Sequence, residues 1–277
     1  MAFISRCAFR RQDVALDVGT ASIRLAAGSN RLMKQPSHSS AGHALRAGVI
    51  TNEDTATNLL KPMLSQVKIF GIVRPCVLAC APSDVSRAER ELLVGSIMKA
   101  GASSVTIIPE PLAAAVGAGV DVSSPYAHMI IDIGEGVTDC AVIRESKIRS
   151  TCAVRGGCAQ LRSKIASNWS RSGSLSTANA EQLLRSKGIS LSPVHDVASN
   201  LADAIALFLK NLPPELGCEI IESGIRLTGG GALVPGISSL IEDRTGITVT
   251  TSPTPLSDVI EGARAILPIV AALNRWH

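Results

Sequence analysis

A repeated acidic turn is the sequence feature that most constrains this fold. Two apolar residues, an aspartate, a β-branched residue and a glycine occur in Ala15-Leu-Asp-Val-Gly-Thr20 and again in Ile130-Ile-Asp-Ile-Gly-Glu135. Each motif lies between two apolar runs, which predicts a strand, a tight turn and a returning strand. Because self-similarity within one chain indicates related structural units, we expect two lobes, each with its own acidic hairpin.

The rest of the chain alternates between strand and helix patterns, which predicts an α/β fold with mixed sheets. We predict strands over 74–81, 105–108 and 224–227, a helix that begins at Glu110, further helices over 52–69, 86–100, 196–211 and 255–274, and a polar helical region over 159–187. Pro62 should kink the helix over 52–69 or mark its start. Residues 32–48 are predicted to form a polar connector.

These elements suggest a division into four parts. We expect a basic N-terminal segment (1–11), a first lobe (12–125), a second lobe (126–254) and a C-terminal helix (255–277) that returns to the first lobe. In the segment 1–11, apolar residues share one side of a helix and arginines flank them, as in helices that lie on anionic membranes. A frayed basic tail is the alternative interpretation.

Composition excludes several classes of protein. The chain has 277 residues, 46% of them hydrophobic and 18% charged, which is incompatible with disorder. No window approaches the roughly 18 consecutive apolar residues of a membrane span. A net charge of +4 and seven aromatic residues argue against nucleic-acid binding. Seven cysteines, without a secretory signal or a metal-binding spacing, favour free thiols in a reducing cytoplasm.

The two acidic turns together indicate a phosphate site. A glycine turn allows backbone N–H groups to approach phosphate oxygens closely, because no Cβ intervenes. Asp17 and Asp132 would repel a phosphate chain unless a divalent cation such as Mg²⁺ lay between them. A third glycine turn, Gly229-Gly-Gly231, opens a helix and adds to the case for nucleotide binding.

The order of the motifs resembles the superfamily of actin, the sugar kinases and the chaperone ATPases. The resemblance rests on Asp17-Val-Gly-Thr-Ala-Ser22, Glu110-Pro-Leu-Ala-Ala-Ala115, Asp132-Ile-Gly-Glu-Gly136 and Leu227-Thr-Gly-Gly-Gly-Ala232. The stretches Ala81-Pro-Ser-Asp-Val-Ser-Arg-Ala-Glu-Arg90, Ile108-Pro-Glu-Pro-Leu-Ala-Ala-Ala-Val-Gly-Ala-Gly119 and Pro213-Pro-Glu-Leu216 are similar to the bacterial actins of the MreB type. The resemblance implies an actin-like (ribonuclease H-like) fold whose two lobes enclose ATP and Mg²⁺.

The resemblance also implies roles for individual residues. Those of the first phosphate loop are Gly19, Thr20 and Ala21, and those of the second are Gly134 and Gly136, with Thr138 beside them. Asp17 and Asp132 match the carboxylates that hold hydrated Mg²⁺, and Glu110 matches the glutamate that positions the attacking water. Gly229, Gly230 and Gly231 match the turn on the adenosine side.

Several positions depart from the family pattern. In the second phosphate loop Glu135 replaces a glycine and Val137 replaces a threonine. A carboxylate about 4 Å from a phosphate costs roughly 4 kcal/mol at an effective dielectric of about 20, unless Glu135 points away. Leu184 and Ser186 stand where longer polar residues reaching the ribose are expected. Both changes weaken the expectation of fast ATP turnover.

The chain is also short for this superfamily. Residues 34–48 and 189–193 stand where two small subdomains are inserted, and both segments are too short to form them. Because these insertions supply much of the longitudinal filament contact, filament formation by this chain alone is in doubt.

We expect an MreB-like, ATP-binding cytoskeletal protein with weak hydrolysis that acts in cell shape. Its expected partners are MreB-type proteins and, through residues 1–11, the inner face of the membrane. The alternative is a scaffold with impaired nucleotide binding. A sugar kinase or chaperone is disfavoured, since no substrate-domain insertion is present.

Overall fold

The computed structural model describes residues 13–28, 31–40, 42–169 and 175–273. The basic segment 1–11, for which a membrane helix is predicted, lies outside these residues. None of the helices within the described ranges is long and apolar enough to cross a membrane.

Within its described residues, the first half of the chain carries nine strands and three helices. In chain order they are β1 (Asp13–Val18), β2 (Ser22–Ala27), β3 (Arg31–Pro36), β4 (His38–Ser39), β5 (Gly42–His43), β6 (Leu45–Arg46), β7 (Val49–Ile50), α1 (Glu53–Gln66), β8 (Cys76–Ala81), α2 (Arg87–Lys99), β9 (Ser104–Pro109) and α3 (Glu110–Gly117).

The second half carries the remaining strands and helices. They are β10 (His128–Ile133), β11 (Thr138–Arg144), β12 (Lys147–Val154), α4 (Cys158–Trp169), α5 (Thr177–Lys187), α6 (Ser192–Lys210), α7 (Pro214–Ser223), β13 (Ile225–Thr228), α8 (Ile237–Thr245), β14 (Val249–Thr251) and α9 (Asp258–Leu273). Two short 3₁₀ helices, Gly188–Ser190 and Gly230–Leu233, connect neighbouring elements.

The two halves repeat one sheet topology. The first sheet has the order β3-β2-β1-β8-β9, and the second has the order β12-β11-β10-β13-β14. In each, three antiparallel strands form a meander and two further strands continue the sheet in parallel. The repeated sequence motif occupies the same place in both sheets, at the first turn of the meander. The exact lobe boundaries, 12–125 and 126–254, stay predictions.

The elements form five layers, with three apolar cores between them. Helices α1 and α2 pack on the outer face of the first sheet, and helices α4 to α8 pack on the outer face of the second. Helices α3 and α9 lie between the two sheets and share a core with both. Residues 258–273 therefore return to the first half and pack against α3, β1, β2 and β8.

Small residues let the two central helices approach closely. A Cβ on Gly262 of α9 would overlap the backbone carbonyl of Ala113 in α3, and a Cβ on Gly117 would overlap the carbonyl of Asp258. The backbones therefore touch at this crossing. The alanine-rich stretch from Glu110 serves this contact, since larger side chains would separate the helices.

Most of the predicted elements are confirmed, and the misses are instructive. Helix α1 begins after Asn52, whose side chain accepts a hydrogen bond from the Thr55 N–H, so Pro62 lies inside the helix and does not mark its start. The prediction of a connector over 32–48 is wrong at its beginning, because β3 is an edge strand with a polar sequence. Strand β12 and helix α7 were not predicted.

The two insertion points carry little structure. Residues 37–40 and 42–52 form two short hairpins, β4-β5 and β6-β7, and the link between α5 and α6 is the 3₁₀ helix Gly188–Ser190. The described residues at these two positions form no small subdomain, as the length of the segments predicts. The hairpins instead pack beside the first acidic turn, which brings them into the site described next.

Candidate functional site

A cavity of about 580 Å³ opens where the turns of the two sheets face each other. All the predicted site residues except Thr138 and Gly231 line it: Asp17, Gly19, Thr20, Ala21, Glu110, Asp132, Gly134, Gly136, Gly229 and Gly230. These ten residues come from four separate segments of the chain and meet at one place. A cavity of this size is within the range of small-molecule and cofactor sites.

The first turn is held by the shortened connector. The Ser37 hydroxyl donates to the Gly19 carbonyl at 2.5 Å, and the Gly48 N–H donates to the Thr20 hydroxyl at 2.8 Å. Gly48 has φ +81°, and a Cβ there would lie 2.7 Å from Val137 of the second turn. The β6-β7 hairpin therefore bridges the two turns on one side of the cavity.

The second turn is held by its own hairpin and by a helix. The Gly134 N–H donates to the Val137 carbonyl at 2.9 Å. At the start of α4, the Cys158 N–H donates to the Gly134 carbonyl at 3.1 Å and the Ala159 N–H donates to the Glu135 carbonyl at 3.0 Å. The helix fixes the turn so that Gly134 and Gly136 both face the cavity.

The third glycine turn closes the cavity from the far end of β13. Gly229 has φ +81°, and a Cβ there would overlap the Asp132 carboxylate and the Ile133 carbonyl. Gly231 does not line the cavity, because it packs against the Ile133 side chain. Thr138 is also outside it, because its buried hydroxyl is turned away to donate to the Gly156 carbonyl at 3.0 Å.

The hairpin register gives each predicted metal ligand a different charged neighbour. Asp17 on β1 lies directly opposite Arg24 on β2, and the Arg24 Nη1 donates to the Asp17 Oδ2 at 2.6 Å. Asp132 on β10 lies directly opposite Asp139 on β11. Asp139 accepts hydrogen bonds from the Ser83 N–H at 2.7 Å and from the Ser83 hydroxyl at 2.5 Å, which joins the two halves.

Burial, together with repulsion between neighbouring carboxylates, raises the pKa values of the acidic residues in the cavity. Burial, and then the charges of Asp17 and Asp139, raise the pKa of Asp132 to about 7. Burial, and then the charges of Asp132 and Asp17, raise the pKa of Glu110 well above its usual range. Burial also raises the pKa of Asp17, although the charge and hydrogen bond of Arg24 oppose it. Such strongly shifted groups in one cleft mark a functional site.

Glu135 does not present a free carboxylate to the cavity. It forms an ion pair with Arg162 of α4, and Arg162 also donates to Glu181 of α5 at 2.7 Å. Glu181 in turn accepts a hydrogen bond from Arg185 at 2.7 Å, and the Arg185 Nη1 donates to the Gly230 carbonyl at 2.6 Å. The charge of Glu135 is therefore neutralised, so the full repulsion calculated for an isolated carboxylate does not apply.

Helix α5 places Arg185 at the cavity, a residue that the sequence analysis did not predict. Leu184 is buried in the core of the second sheet, and the Ser186 hydroxyl donates to the Gln182 carbonyl. Arg185, between them, lines the cavity beside Gly230. The helix therefore directs an arginine toward the third glycine turn, although longer polar residues were expected at 184 and 186. Arg185 lies four residues after Glu181, and this spacing places the two side chains on one face of a helix. That spacing was the sequence signal that could have identified Arg185.

The donor set fits Mg²⁺ once phosphate oxygens are added. Among the residues that the structure describes, no group of three or more His, Cys, Asp or Glu side chains is arranged to hold a metal ion. Mg²⁺ needs fewer protein ligands, because it is held by one or two carboxylates together with waters and substrate phosphates. Asp17 and Asp132 provide two buried carboxylates at the ends of facing strands, and their mutual repulsion is what a cation would relieve.

Comparison with known proteins decides the family. The family model for the MreB/Mbl protein matches residues 14–181 and 175–275. This chain belongs to the MreB/Mbl family. The cell shape-determining protein MreB of Escherichia coli K12 is 30% identical over 274 residues, which cover 86% of this chain and 79% of the relative. The cell shape-determining protein Mbl of Bacillus subtilis 168 is 26% identical, with 92% of this chain and 87% of the relative covered.

Solved structures of lower sequence identity share the fold of this chain. MreB5 of Spiroplasma citri bound to AMPPNP superimposes with a TM-score of 0.87 at 24% identity, over 96% of this chain and 98% of that one. The MamK double helical filament superimposes with a TM-score of 0.78 at 15% identity, over 94% of this chain and 99% of that one. The fold is therefore actin-like, and the chain is an MreB-like actin homologue.

Proposed function

We propose that this chain binds ATP with Mg²⁺ in the cleft between its two sheets and acts as an MreB-type cytoskeletal protein in bacterial cell shape. The observation that carries the proposal is the meeting of two acidic turns and a third glycine turn around one cavity of about 580 Å³. The S. citri relative of the same fold is bound to AMPPNP in one structure and to ADP in another.

The phosphate chain would lie between the first two turns. Backbone N–H groups of Thr20 and Ala21 on one side, and of Gly136 on the other, would supply donors for an anion, while the N–H groups of Gly19 and Gly134 close their own turns. Asp17 and Asp132 would hold Mg²⁺, and the cation would neutralise part of the charge of the phosphate chain. The adenosine would extend toward Gly229 and Gly230, with Arg185 beside it.

We propose that hydrolysis is slow. Glu110, the first residue of α3, lines the cavity where an attacking water would be oriented. Burial, and then the charges of Asp132 and Asp17, raise the pKa of Glu110 and so favour its protonated form, and a protonated carboxyl is a poor acceptor for a proton from water. Binding of the nucleotide does not require ionised Glu110, so slow turnover is compatible with tight binding.

Titration calorimetry with ATP and Mg²⁺ tests this site. The wild-type chain should bind, and Asp132→Asn should weaken binding by at least about tenfold, because it removes one of two charged metal ligands. The matched control is Asp203→Asn, since Asp203 is an exposed surface residue paired with Arg244. If Asp132→Asn binds like the wild type, Asp132 is not a ligand of the metal–nucleotide complex.

We also propose association with the membrane, through residues 1–11 and through the loop between α1 and β8. Phe70 and Ile72 on this loop are 85% and 81% exposed, more than any other large hydrophobic residue within the described ranges. Lys68 and Arg74 flank them, which suits an anionic lipid surface. Other MreB-type proteins are the proposed protein partners, because the described residues at the two insertion points form no small subdomain that could supply filament contacts.

Sedimentation with anionic phospholipid vesicles tests the loop. Phe70→Ser should reduce the bound fraction, and vesicles of neutral lipid should bind less of the wild type. The control is Leu207→Ser, because Leu207 is 60% exposed on α6, away from this loop. Equal losses in the two variants would contradict a specific role for the loop.

A further inference from the structure

Arg24 is the cationic side chain that the register of the first hairpin places beside a predicted metal ligand. Asp17, Arg24 and Lys34 are cross-strand neighbours on β1, β2 and β3, so their side chains share one face of the sheet. All three line the cavity. In the second sheet the corresponding row is Asp132, Asp139 and Ala153, which contains no cation. The pair of basic side chains, Arg24 and Lys34, therefore lines the cleft from the first sheet, and the matching row of the second sheet has no such pair.

The Arg24 side chain is held inside the cleft. Its side chain is 18% exposed and that of Asp17 is 3% exposed, and their contact is 2.6 Å long. The charge of Arg24 lowers the pKa values of Asp17, Asp132 and Glu110, although burial raises them overall. Its charge therefore stabilises the ionised form of all three carboxylates. Removing it would leave these carboxylates with less compensation.

A guanidinium in this position can donate hydrogen bonds to two kinds of partner. It carries five N–H donors in a planar arrangement, and the oxygens of both carboxylates and phosphates accept hydrogen bonds from them. The structure shows the first of these partners, because the Arg24 guanidinium donates to the Asp17 carboxylate. A phosphate chain between the two turns would pass this face of the first sheet, because the turn residues Gly19 and Thr20 lie two and three positions after Asp17.

We propose that Arg24 is a resident cation of the cleft, which neutralises Asp17 when no nucleotide is present and bonds to phosphate oxygens when one is bound. Nucleoside diphosphate binding then persists without a divalent metal, and Arg24 competes with the metal for Asp17. This inference rests on the proposed function of the same cleft. If the ion pair were merely structural, it would stabilise the hairpin, but its removal would leave the affinities for the nucleoside diphosphate and for the divalent metal unchanged.

Two binding measurements separate these roles. The first is the affinity for ADP, measured by titration calorimetry in Mg²⁺ and in excess EDTA. The second is the affinity for Mn²⁺ alone, measured by electron paramagnetic resonance without nucleotide. The variants are Arg24→Gln and Arg24→Lys, with Arg31→Gln as control, because Arg31 lies on β3 and contacts Gln66 at the surface.

We expect the wild type to keep ADP binding in EDTA within about tenfold of its affinity in Mg²⁺. Arg24→Gln should lose at least about tenfold in EDTA and should bind Mn²⁺ alone more tightly than the wild type, because Asp17 is released. Arg24→Lys should retain most ADP binding in EDTA, and Arg31→Gln should behave like the wild type.

The contrary results are distinct. If EDTA abolishes ADP binding by the wild type, Arg24 does not replace the metal and the inference fails, even if Arg24→Gln does not fold. If Arg24→Gln folds and binds ADP and Mn²⁺ like the wild type, the ion pair is only structural. If the wild type binds no ADP even in Mg²⁺, the proposed function itself fails.

Discussion

Gly136 of the second turn faces Thr20 of the first so closely that a Cβ at position 136 would lie 2.8 Å from the Thr20 Oγ1. The same Cβ would lie 2.9 Å from the Ala47 Cα. The two halves of the repeat therefore meet at the cavity itself. The width of the cleft at this point depends on a residue without a side chain.

Gly136→Ala tests this contact. The added methyl group must separate the two turns, so we predict weaker ATP binding in Mg²⁺ and a loss of stability of about 1–3 kcal/mol, as for overpacked sites. Titration calorimetry and urea unfolding measure the two effects. A variant that retains wild-type affinity would show that the turns can move apart without cost to the site.

Gly262→Ala tests the crossing of α3 and α9. A Cβ there would overlap the Ala113 carbonyl, so the helices must separate, and we predict a loss of about 3 kcal/mol or more in the free energy of unfolding. The control is Gly217→Ala in α7, where a Cβ meets nothing within 4 Å. That change should stabilise the protein by about 0.5–1 kcal/mol, because alanine favours the helix.

Urea unfolding of both glycine variants checks this pair. Equal effects of Gly262→Ala and Gly217→Ala would contradict the close approach of the two helices between the sheets.

The fold was largely predictable because its periodic elements carry strong patterns. Both acidic hairpins repeat one motif, and α1, α2 and α9 have capping residues or apolar stripes that mark them. Strand β3 was missed because an edge strand exposes polar residues on both faces. The pair of Asp17 and Arg24 could have been found from the hairpin register, since the two residues are equidistant from the turn.

The fate of Glu135 could not be predicted in this way. Its partner Arg162 lies on α4, and the Glu181 that joins them to Arg185 lies on α5, so the network depends on how two helices pack. Thr138 and Gly231 follow the family motif but turn toward the core, which no local pattern indicates. Tertiary packing decided these positions.

Glu135 and Arg162 should be energetically coupled in ATP binding. Arg162→Gln leaves the Glu135 carboxylate uncompensated beside the cavity, so we predict that the affinity for ATP falls. The double variant Glu135→Gln/Arg162→Gln should recover most of this loss, because both charges are gone. A double-mutant cycle by titration calorimetry measures the coupling, and strictly additive effects would contradict the neutralisation of Glu135 by Arg162.

Asp139 should make the stability of the ligand-free protein depend on pH. Burial raises its pKa to about 6, although the two hydrogen bonds from Ser83 lower it. The folded state therefore binds a proton more tightly than the unfolded state, and stability falls as the pH rises from about 4 to above 6. This shift in the pKa of Asp139 corresponds to a loss of at most about 3 kcal/mol in the free energy of unfolding. The loss is complete once the pH is above the folded-state pKa.

Asp139→Asn removes this contribution, since an amide can accept from the Ser83 N–H and donate to the Ser83 hydroxyl. Urea unfolding at a series of pH values should show a shallower decline in the variant than in the wild type. Parallel curves would show that the pKa of Asp139 is not raised by folding.

The most direct test of the nucleotide site is the melting temperature of the wild-type chain with and without ATP and Mg²⁺. A ligand at about 100 times its dissociation constant stabilises the native state by about 2.7 kcal/mol. For a chain of this size that predicts a rise of several degrees at millimolar ATP, roughly 2–4 °C per kcal/mol. No rise at millimolar ATP would contradict nucleotide binding in the cleft.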